Sequence, residues 1–398
     1  MRPVNGRGSN MRDLNHTIKA GIFMILAFCI PITAAAQENS EETKGDDLDT
    51  LFVKDLSHLL AGRVFVSTKY NTLRLNSSTG SHSLVYRPTN QYNFGVGASY
   101  RKFTLNLGFG IPGITDSRRK ELGHTRYLDA QANMFTPERA SNIFLQYFEG
   151  YHISSHDRAQ LNWPEQETDR PFREDLRQFN AGISTLRIVN GKRYSYRAAM
   201  NQDAWQLRSQ GSWLYGGFIT YYGLRADSTL IPRALEEHYA DEASLLKGDL
   251  VDAGPMGGYA YTFVIDRHFF IMGSAAAGAG VSMQSLTLDD RNAENGIDEK
   301  TTSWGPSWRV QARAGIGYNS ARTQIGITFN QEQVHYLLPE QNFFVWNVGN
   351  VRFNIVHRFE KRVRPVDKAM EKLLNDPPPP LEETVPAADE AEDEIKEK

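Results

Sequence analysis

The sequence predicts an all-β fold, a transmembrane antiparallel up-and-down β-barrel of about 12 strands, within a range of about 10 to 14. Three observations lead to this prediction. An apolar export signal opens the chain, strands of strictly alternating polarity follow it, and short turns alternate with long polar connections between those strands. This combination is typical of a barrel that presents apolar side chains to lipid and polar side chains to its lumen.

The N-terminus has the features of a cleaved signal peptide. Basic residues precede an apolar run at residues 20–32, which is too short to span a bilayer as a helix, and three small residues, 34–36, follow it. We therefore predict a signal peptide at residues 1–36, export through the general secretory pathway, and a mature chain that begins at Gln37.

Composition excludes several classes of protein. The chain has 398 residues and a formal net charge of −3, so it carries no basic excess with which to bind nucleic acid. Its mean hydropathy of −0.48 is too low for a bundle of membrane helices, but it fits a barrel with a polar lumen. The single cysteine, Cys29, lies in the predicted signal peptide, which leaves the mature chain without a disulfide, a thiol nucleophile or a thiolate metal site.

The segment between the signal peptide and the first strand begins with polar and acidic residues. We predict that residues 37–60 form a periplasmic N-terminal segment, with one amphipathic helix over residues 49–60. From residue 61 to residue 359 the strand patterns continue without a change in composition, which predicts a single barrel domain.

The first predicted hairpin, residues 92–110, alternates strictly. One face carries Tyr92, Phe94, Val96, Ala98 and Tyr100, and Asn93 lies on the opposite face among glycines. The chain reverses at residues 101–102, and the apolar face resumes with Leu107 and Phe109. A soluble sandwich would turn the apolar face inward, whereas a membrane barrel turns it to lipid.

Residues 308–318 discriminate between these two architectures. The apolar stripe consists of Trp308, Val310, Ala312, Ala314, Ile316 and Tyr318, and it lies opposite Arg309, Gln311 and Arg313. A stripe with an aromatic residue at each end, near the ~9–11 residues of a tilted membrane strand, matches a lipid-facing band between aromatic girdles. The two arginines then point into the lumen.

Other strands repeat this polarity. Gln131 and Asn133 lie opposite an apolar stripe, and in the last strand, residues 349–359, Arg352 and Asn354 lie opposite another. The predicted lumen-lining residues are Asn93, Gln131, Asn133, Arg309, Gln311, Arg313, Arg352 and Asn354. The last strand closes on Phe359, which is typical of the terminal aromatic that the barrel assembly machinery reads during insertion.

The connections between strands alternate in length. Short reversals are predicted at residues 101–102, 190–193, 265–268 and 319–322, and long polar stretches at 111–124, 155–174, 226–251 and 284–305. Membrane barrels combine short periplasmic turns with longer outer loops in this way. Residues 201–212 break the rhythm, and one interpretation is a helical or bulged insertion folded into the lumen.

Residues 360–398 are predicted to form a periplasmic tail. A short helix is expected up to residue 375, and a proline run followed by an acidic run predicts a disordered end. Such a tail is open to a periplasmic partner.

Several of these segments also carry a resemblance. The stretches "YRPTNQYNFGVGASY" and "GGYAYTFVIDRHFF" resemble an uncharacterised family of Bacteroidetes outer-membrane β-barrel proteins, a domain of unknown function, over roughly residues 56–359. The resemblance implies a barrel embedded in the lipid of a Gram-negative outer membrane. It implies no catalytic residues.

Three function classes fit such a barrel. The first, which we favour, is a non-enzymatic pore, channel or structural barrel; the second is an outer-membrane lipid hydrolase; the third is a scaffold that recruits partners through its loops or tail. No cofactor is expected, and no metal site is predicted because no histidines pair at metal-ligand spacing on a predicted strand.

The hydrolase hypothesis rests on residues 151–157, "YHISSHD". His152 and Ser154 share a face by period two, and this pair resembles the arrangement in outer-membrane lipid A deacylases, with Glu165 or Glu167 as the acid. However, the alternation of the preceding strand puts His152 and Ser154 on the lumen side, away from a lipid substrate. We therefore interpret them as solvated residues at the barrel rim.

Overall fold

Strands dominate the computed structural model of the chain. The structure describes residues 48–77, 81–89, 92–101, 103–111, 113–239, 245–288, 299–338, 343–361 and 363–374. The predicted signal peptide, the leader up to residue 47 and the acidic end from residue 375 lie outside the described residues. What the sequence predicts for them stays a prediction.

Fifteen strands occur within the described ranges. They are β1 (Val53–Asp55), β2 (Leu60–Asn76), β3 (Ser83–Arg87), β4 (Tyr92–Tyr100), β5 (Phe103–Gly110), β6 (Arg126–Phe135), β7 (Arg139–Ile153), β8 (Phe172–Ile188), β9 (Ala204–Gln206), β10 (Gln210–Arg225), β11 (Leu245–Ile265), β12 (Phe269–Leu288), β13 (Glu299–Asn319), β14 (Thr323–Leu337) and β15 (Phe343–Phe359).

Helices are few and short by comparison. The described ones are α1 (Ile114–Leu122), α2 (Tyr196–Met200), α3 (Arg364–Leu374) and the 3₁₀ helix Arg233–His238. In the described part of the chain, none of them has the length and apolarity that a membrane-crossing helix needs. Helix α3 confirms the short helix predicted after the barrel.

Ten of the strands close into a ring. The order around the ring is β2, β15, β14, β13, β12, β11, β10, β8, β7 and β3, and every neighbouring pair is antiparallel. The ladder between β15 and β2, from Phe343↔Asn76 to Phe359↔Leu60, closes it. The predicted antiparallel barrel is confirmed, and its closed ring lies at the lower end of the predicted strand range.

The two faces of the wall differ in polarity. In β13 the side chains of Val310 and Ile316 are 46% and 53% exposed, whereas Arg309 is 1% exposed. The first hairpin agrees, because Phe94 and Phe109 are also exposed on the outer surface. A continuous exposed apolar surface of this kind marks a membrane or protein interface.

The two ends of the barrel differ in their connections. Turns at one end are short, as at residues 136–138, 266–268 and 320–322, and loops at the other end are longer, as at residues 154–171 and 226–244. The predicted rhythm is therefore present. The strands extend farther into the long connections than the sequence predicts, since β11 begins at Leu245 and β12 continues to Leu288.

The helix predicted over residues 49–60 is wrong. Val53–Asp55 instead form β1, which pairs with β9, and β2 begins at Leu60. One short amphipathic turn of helix is marginal by itself in water. Pairing with a distant strand therefore decides the conformation here.

The wall is irregular between β2 and β7. At the long-loop end, β3 pairs with β2 and meets β7 at only two positions, Tyr86↔Ile153 and Arg87↔His152. Toward the short-turn end, β2 pairs with β4 instead, and two hairpins, β4–β5 and β6–β7, continue the wall. Within the described residues no ladder joins β5 to β6. We call this gap the seam.

Arginine at Ala312 or Ala314 tests the outward face of β13. Either charge would lie in hydrocarbon midway between Trp308 and Tyr318, so we expect it to destabilise the folded barrel by roughly 2–4 kcal/mol. The measurement is the urea midpoint of the protein refolded into lipid vesicles, with Ala312→Leu as the apolar control. A tolerated Ala314→Arg beside a damaging Ala312→Leu would contradict the assignment of faces.

Candidate functional site

Two segments that are far apart in the chain pair with each other at the short-turn end of the barrel. Strands β1 and β9 form a separate two-stranded sheet, in which Val53 pairs with Gln206, and α2 precedes β9. We call residues 48–56 and 195–206 the plug. Val53, Ala198 and Ala204 form its own small apolar cluster.

The barrel wall holds the plug through the plug's backbone carbonyl groups. The donors are Arg63 to Asn201 at 2.7 Å, Gln324 to Ala198 at 3.1 Å, Asn319 to Ala204 at 3.0 Å and Arg358 to Gln202 at 2.7 Å. These donors belong to β2, β14, β13 and β15, and the hydroxyl of Tyr196 also bonds Ser274 of β12. The sequence did not decide on which side of the barrel wall the insertion predicted at residues 201–212 folds. These contacts show that it lies inside the lumen.

Arg197 joins the two halves of the plug. Its guanidinium lies 2.8 Å from Oδ1 of Asp55 and 3.1 Å from Oδ1 of Asp203. Burial raises the pKa of Asp203, although the charge of Arg197 opposes this rise. Burial acts in the same direction on Asp55, but Arg197 and hydrogen bonds from Ser57 outweigh it, and the pKa of Asp55 is lowered.

A buried ion cluster lies midway along the lumen. Arg309 Nη2 donates to Thr220 Oγ1 at 2.7 Å and to Asp252 Oδ2 at 2.9 Å, and its Nη1 donates to Glu332 Oε1 at 2.6 Å. The guanidinium also lies 3.6 Å from the ring centroid of Phe218. Asp252 is 1% exposed, so water does not reach the cluster.

Aromatic side chains fill the lumen toward the long-loop end. The ring centroids of Trp346 and Tyr222 lie 5.7 Å apart, and those of Tyr222 and Phe344 lie 4.8 Å apart. Trp346 is on β15 and Tyr222 is on β10, which stand opposite each other in the ring. Tyr336 links this aromatic cluster to the ion cluster by donating to Asp252 Oδ1 at 2.9 Å.

The plug, the ion cluster and the aromatic cluster therefore close the lumen in three successive layers. In a water-filled pore, inward-facing side chains would remain accessible to solvent. Here Trp346 and Tyr222 have no exposed surface, and they meet across the barrel axis. At the level of these two clusters the lumen is packed like a protein core.

The predicted lumen-lining residues lie at different depths. Arg309, Gln311, Arg313 and Asn354 are buried, Asn93, Gln131 and Arg352 are half-buried, and Asn133 is exposed. Asn133 lies on β6, which borders the seam, so no neighbouring strand covers that side of it among the described residues. Arg313 packs against aromatic rings, with its guanidinium 5.4 Å from the ring centroid of Phe135.

The register predicted for His152 is wrong. Gly150 has a φ of 90°, and the pairing of β7 with β8 shifts between Glu149 and Tyr151. Three residues of β8, 174–176, lie opposite Gly150 alone. The alternation of β7 reverses at this irregularity, so Tyr151 and Ile153, rather than His152, enter the aromatic cluster.

The three candidate catalytic residues do not assemble into a triad. Ser154 Oγ donates to the backbone oxygen of Val85 at 3.3 Å, and Glu165 is exposed in the loop that follows. The buried Nδ1 of His152 has no hydrogen-bond partner among the described residues. The geometry therefore lacks the base-to-nucleophile contact that a serine hydrolase uses.

Sequence reasoning missed the residues that seal the lumen. Glu332 had a local signal, because the alternation of β14 places it on the polar face with Gln324 and Thr328. Trp346 had none, because it is an apolar residue on the inner face of a strand whose lumen side was expected to be polar. In the described part of the chain no group of three or more His, Cys, Asp or Glu side chains is placed to hold a metal ion.

The chain was compared with known families and proteins. It matches the family described as "Domain of unknown function (DUF4421)" over residues 47–359. No curated protein matches it.

Several solved outer-membrane proteins have a similar fold. The outer membrane protease OmpT from Escherichia coli is 6% identical, with a TM-score of 0.29, over 77% of this chain and 98% of that one. Ail, the attachment invasion locus protein of Yersinia pestis, is 10% identical, with a TM-score of 0.19, over 74% and 98%. The P. putida toluene transporter TodX is 8% identical, with a TM-score of 0.20, over 76% and 91%. At such TM-scores none of them carries an argument about the role of this chain.

The ion cluster gives a prediction for stability. In Arg309→Met the carboxylates of Asp252 and Glu332 stay buried without their counter-charge, so we expect a loss of about 3–5 kcal/mol in unfolding free energy. Urea titration of the refolded barrel measures it. The matched control is the triple variant Arg309→Met, Asp252→Leu and Glu332→Leu, which removes all three charges and should recover most of the loss; a triple variant as unstable as Arg309→Met would contradict this account.

Proposed function

The chain belongs to the DUF4421 family, and we propose that it is a non-enzymatic barrel of the outer membrane that serves as a scaffold rather than as an axial pore. The observation that carries this proposal is the contact between Trp346 and Tyr222 across the barrel axis, with the buried ion cluster beneath it. A lumen blocked at both levels offers no water-filled path from end to end.

The outer surface supports the membrane location. Exposed apolar side chains surround the wall, and those on β10 to β15 include Trp213, Tyr215, Phe263, Ile271, Val281, Val310, Ile327 and Phe353. In water such a surface would drive association, whereas in a bilayer it is solvated by lipid tails. Rings cluster near the short-turn end, where Trp213 packs edge-on against Tyr259 at 5.0 Å between centroids.

The described parts of two long loops support the role of a scaffold because hydrogen bonds and ring contacts hold them in place. Arg173 of β8 donates to the backbone oxygen of Thr229 at 2.8 Å and of Ser228 at 3.0 Å, which fixes the loop after β10. The rings of His82 and His238 stack at 3.9 Å and join this loop to the one after β2. These described loop segments thus form a defined surface at the long-loop end of the barrel.

Conductance in a planar lipid bilayer tests the scaffold against the pore. We expect no stable channel openings from the refolded full chain, because side chains fill the lumen. Regular unitary openings at low voltage would contradict the proposal. Release of fatty acid from lipopolysaccharide, lost in His152→Ala and in Ser154→Ala, would instead support the hydrolase hypothesis.

Cell fractionation tests the location. We expect the mature protein in the outer-membrane fraction, with migration on gels that changes on heating, because folded barrels resist detergent until they are heated. Recovery in the soluble periplasm would refute the membrane assignment.

A further inference from the structure

Within the part of the chain that the structure describes, no strand pairs with the edges of β5 and β6 that border the seam. Every second residue of each strand directs its backbone N–H and C=O toward the seam, because the other residues bond the hairpin partner. Unpaired backbone groups against hydrocarbon are costly, and open edges do not persist there. The seam therefore favours an occupant that brings polar groups into the wall.

Apolar side chains flank the seam on the outer surface. Leu107 and Phe109 on β5, and Leu128 and Met134 on β6, are all exposed. In a bilayer these side chains contact lipid tails. The tails of a lipid molecule beside the seam can therefore contact these apolar side chains, while its headgroup contacts the polar backbone groups of the strand edges.

Two arginines lie on the lumen side of the β4–β5 hairpin. Arg63 is 7% exposed, and its Nη1 donates to Asn106 Oδ1 of β5 at 3.3 Å. The guanidinium of Arg352 lies 4.6 Å from the ring centroid of Phe65. Among the described residues neither arginine forms an ion pair, and Nε of Arg63 has no hydrogen-bond partner.

Phe65, the ring under Arg352, lies two residues from Arg63 on the same face of β2, so the two guanidinium groups are near each other on the inner face and repel. Arg358 on the same inner face adds a third positive charge, and it donates only to carbonyl and amide oxygens. Two other lumenal cations do have carboxylate partners: Lys69 lies 2.6 Å from Asp129, and Arg309 lies 2.9 Å from Asp252. Asp203 of the plug lies within electrostatic range of Arg63 and of Arg358 and offsets part of this charge. Three cations beside this carboxylate leave an excess of positive charge, which favours an anion.

The wall beside the arginines is lined by small residues. Gly95, Gly97, Gly108 and Gly110 lie on the inner face of the β4–β5 hairpin. The ring of Phe65 fills the space over Gly95, where a methyl group would come within 2.2 Å of it, whereas Asn106, Gly108 and Gly110 are exposed on the inner face of β5. The open space near Arg63 therefore lies along β5, at the edge of the seam.

We propose that Arg63 and Arg352 form a lumenal site for the phosphate headgroup of an anionic lipid, which reaches the site from the bilayer through the seam. The tails remain against the apolar residues at the edges of the seam, and the guanidinium groups bind the phosphate oxygens. The Lys69–Asp129 ion pair joins β2 to β6 on the lumen side and bridges the seam nearer the long-loop end.

Binding to the full chain in neutral detergent tests the ligand class. The probes are dihexanoyl phosphatidic acid, dihexanoyl phosphatidylcholine and inorganic phosphate, and the readout is native mass spectrometry with titration. We expect phosphatidic acid to bind at least about tenfold more tightly than either of the others. Equal binding of inorganic phosphate would overturn the lipid assignment, and no binding of either anion would overturn the site.

Substitution of the arginines tests the residues. Arg352→Gln removes a side chain that makes no hydrogen bond to the described residues, so folding should be retained while affinity for phosphatidic acid falls at least about tenfold. Arg63→Gln should act in the same direction. The matched control is Arg313→Gln, because Arg313 is also a buried arginine without an ion pair among the described residues. This variant should bind phosphatidic acid with normal affinity. An equal loss of affinity in it would show that any positive charge in the lumen has the same effect, and would overturn the site.

Cross-linking tests the route. In a chain with Cys29→Ser, the pair Phe109→Cys and Leu128→Cys spans the seam and is joined by a bismaleimide. We expect this cross-link to abolish binding of phosphatidic acid. The control pair Ala275→Cys and Ala312→Cys joins two strands that are already paired, and it should leave binding intact. Unchanged binding after closure of the seam would overturn the lateral route.

Discussion

The barrel depends on one constraint, which is that a strand edge facing hydrocarbon must be paired. The ladder from Phe343↔Asn76 to Phe359↔Leu60 meets this constraint by joining the last strand to the first long one. Closure also fixes the two faces of every strand, because alternate side chains all point toward one axis. The apolar exterior and the enclosed polar interior both follow from that single ladder.

A ring of ten strands is narrow enough for side chains to meet across it. Trp346 and Tyr222 do so from opposite walls, and Arg309 connects Asp252 to Glu332 below them. The same wall is interrupted on one side by the seam. The lumen is therefore blocked along the barrel axis, whereas the seam leaves it accessible from the side.

The sequence predicted those features that depend on near neighbours in the chain. The inward positions of Arg309 and Arg313 follow from a period of two, which a few adjacent residues are enough to establish. One irregularity at Gly150 was enough to misplace His152, because a break in the alternation inverts every later position of the strand. The plug and the seam depend on which distant strand becomes a partner, and alternation within a strand does not encode that choice.

The plug also has a consequence for the order of assembly. Its two halves come from the start and the middle of the described chain, while three of the side chains that hold it, Asn319, Gln324 and Arg358, belong to the last three strands. The β15–β2 ladder brings these three strands beside β2, whose Arg63 also holds the plug. The contacts of the plug are therefore complete only when the last three strands are in place, so that ring closure and fixation of the plug depend on the same segment of the chain.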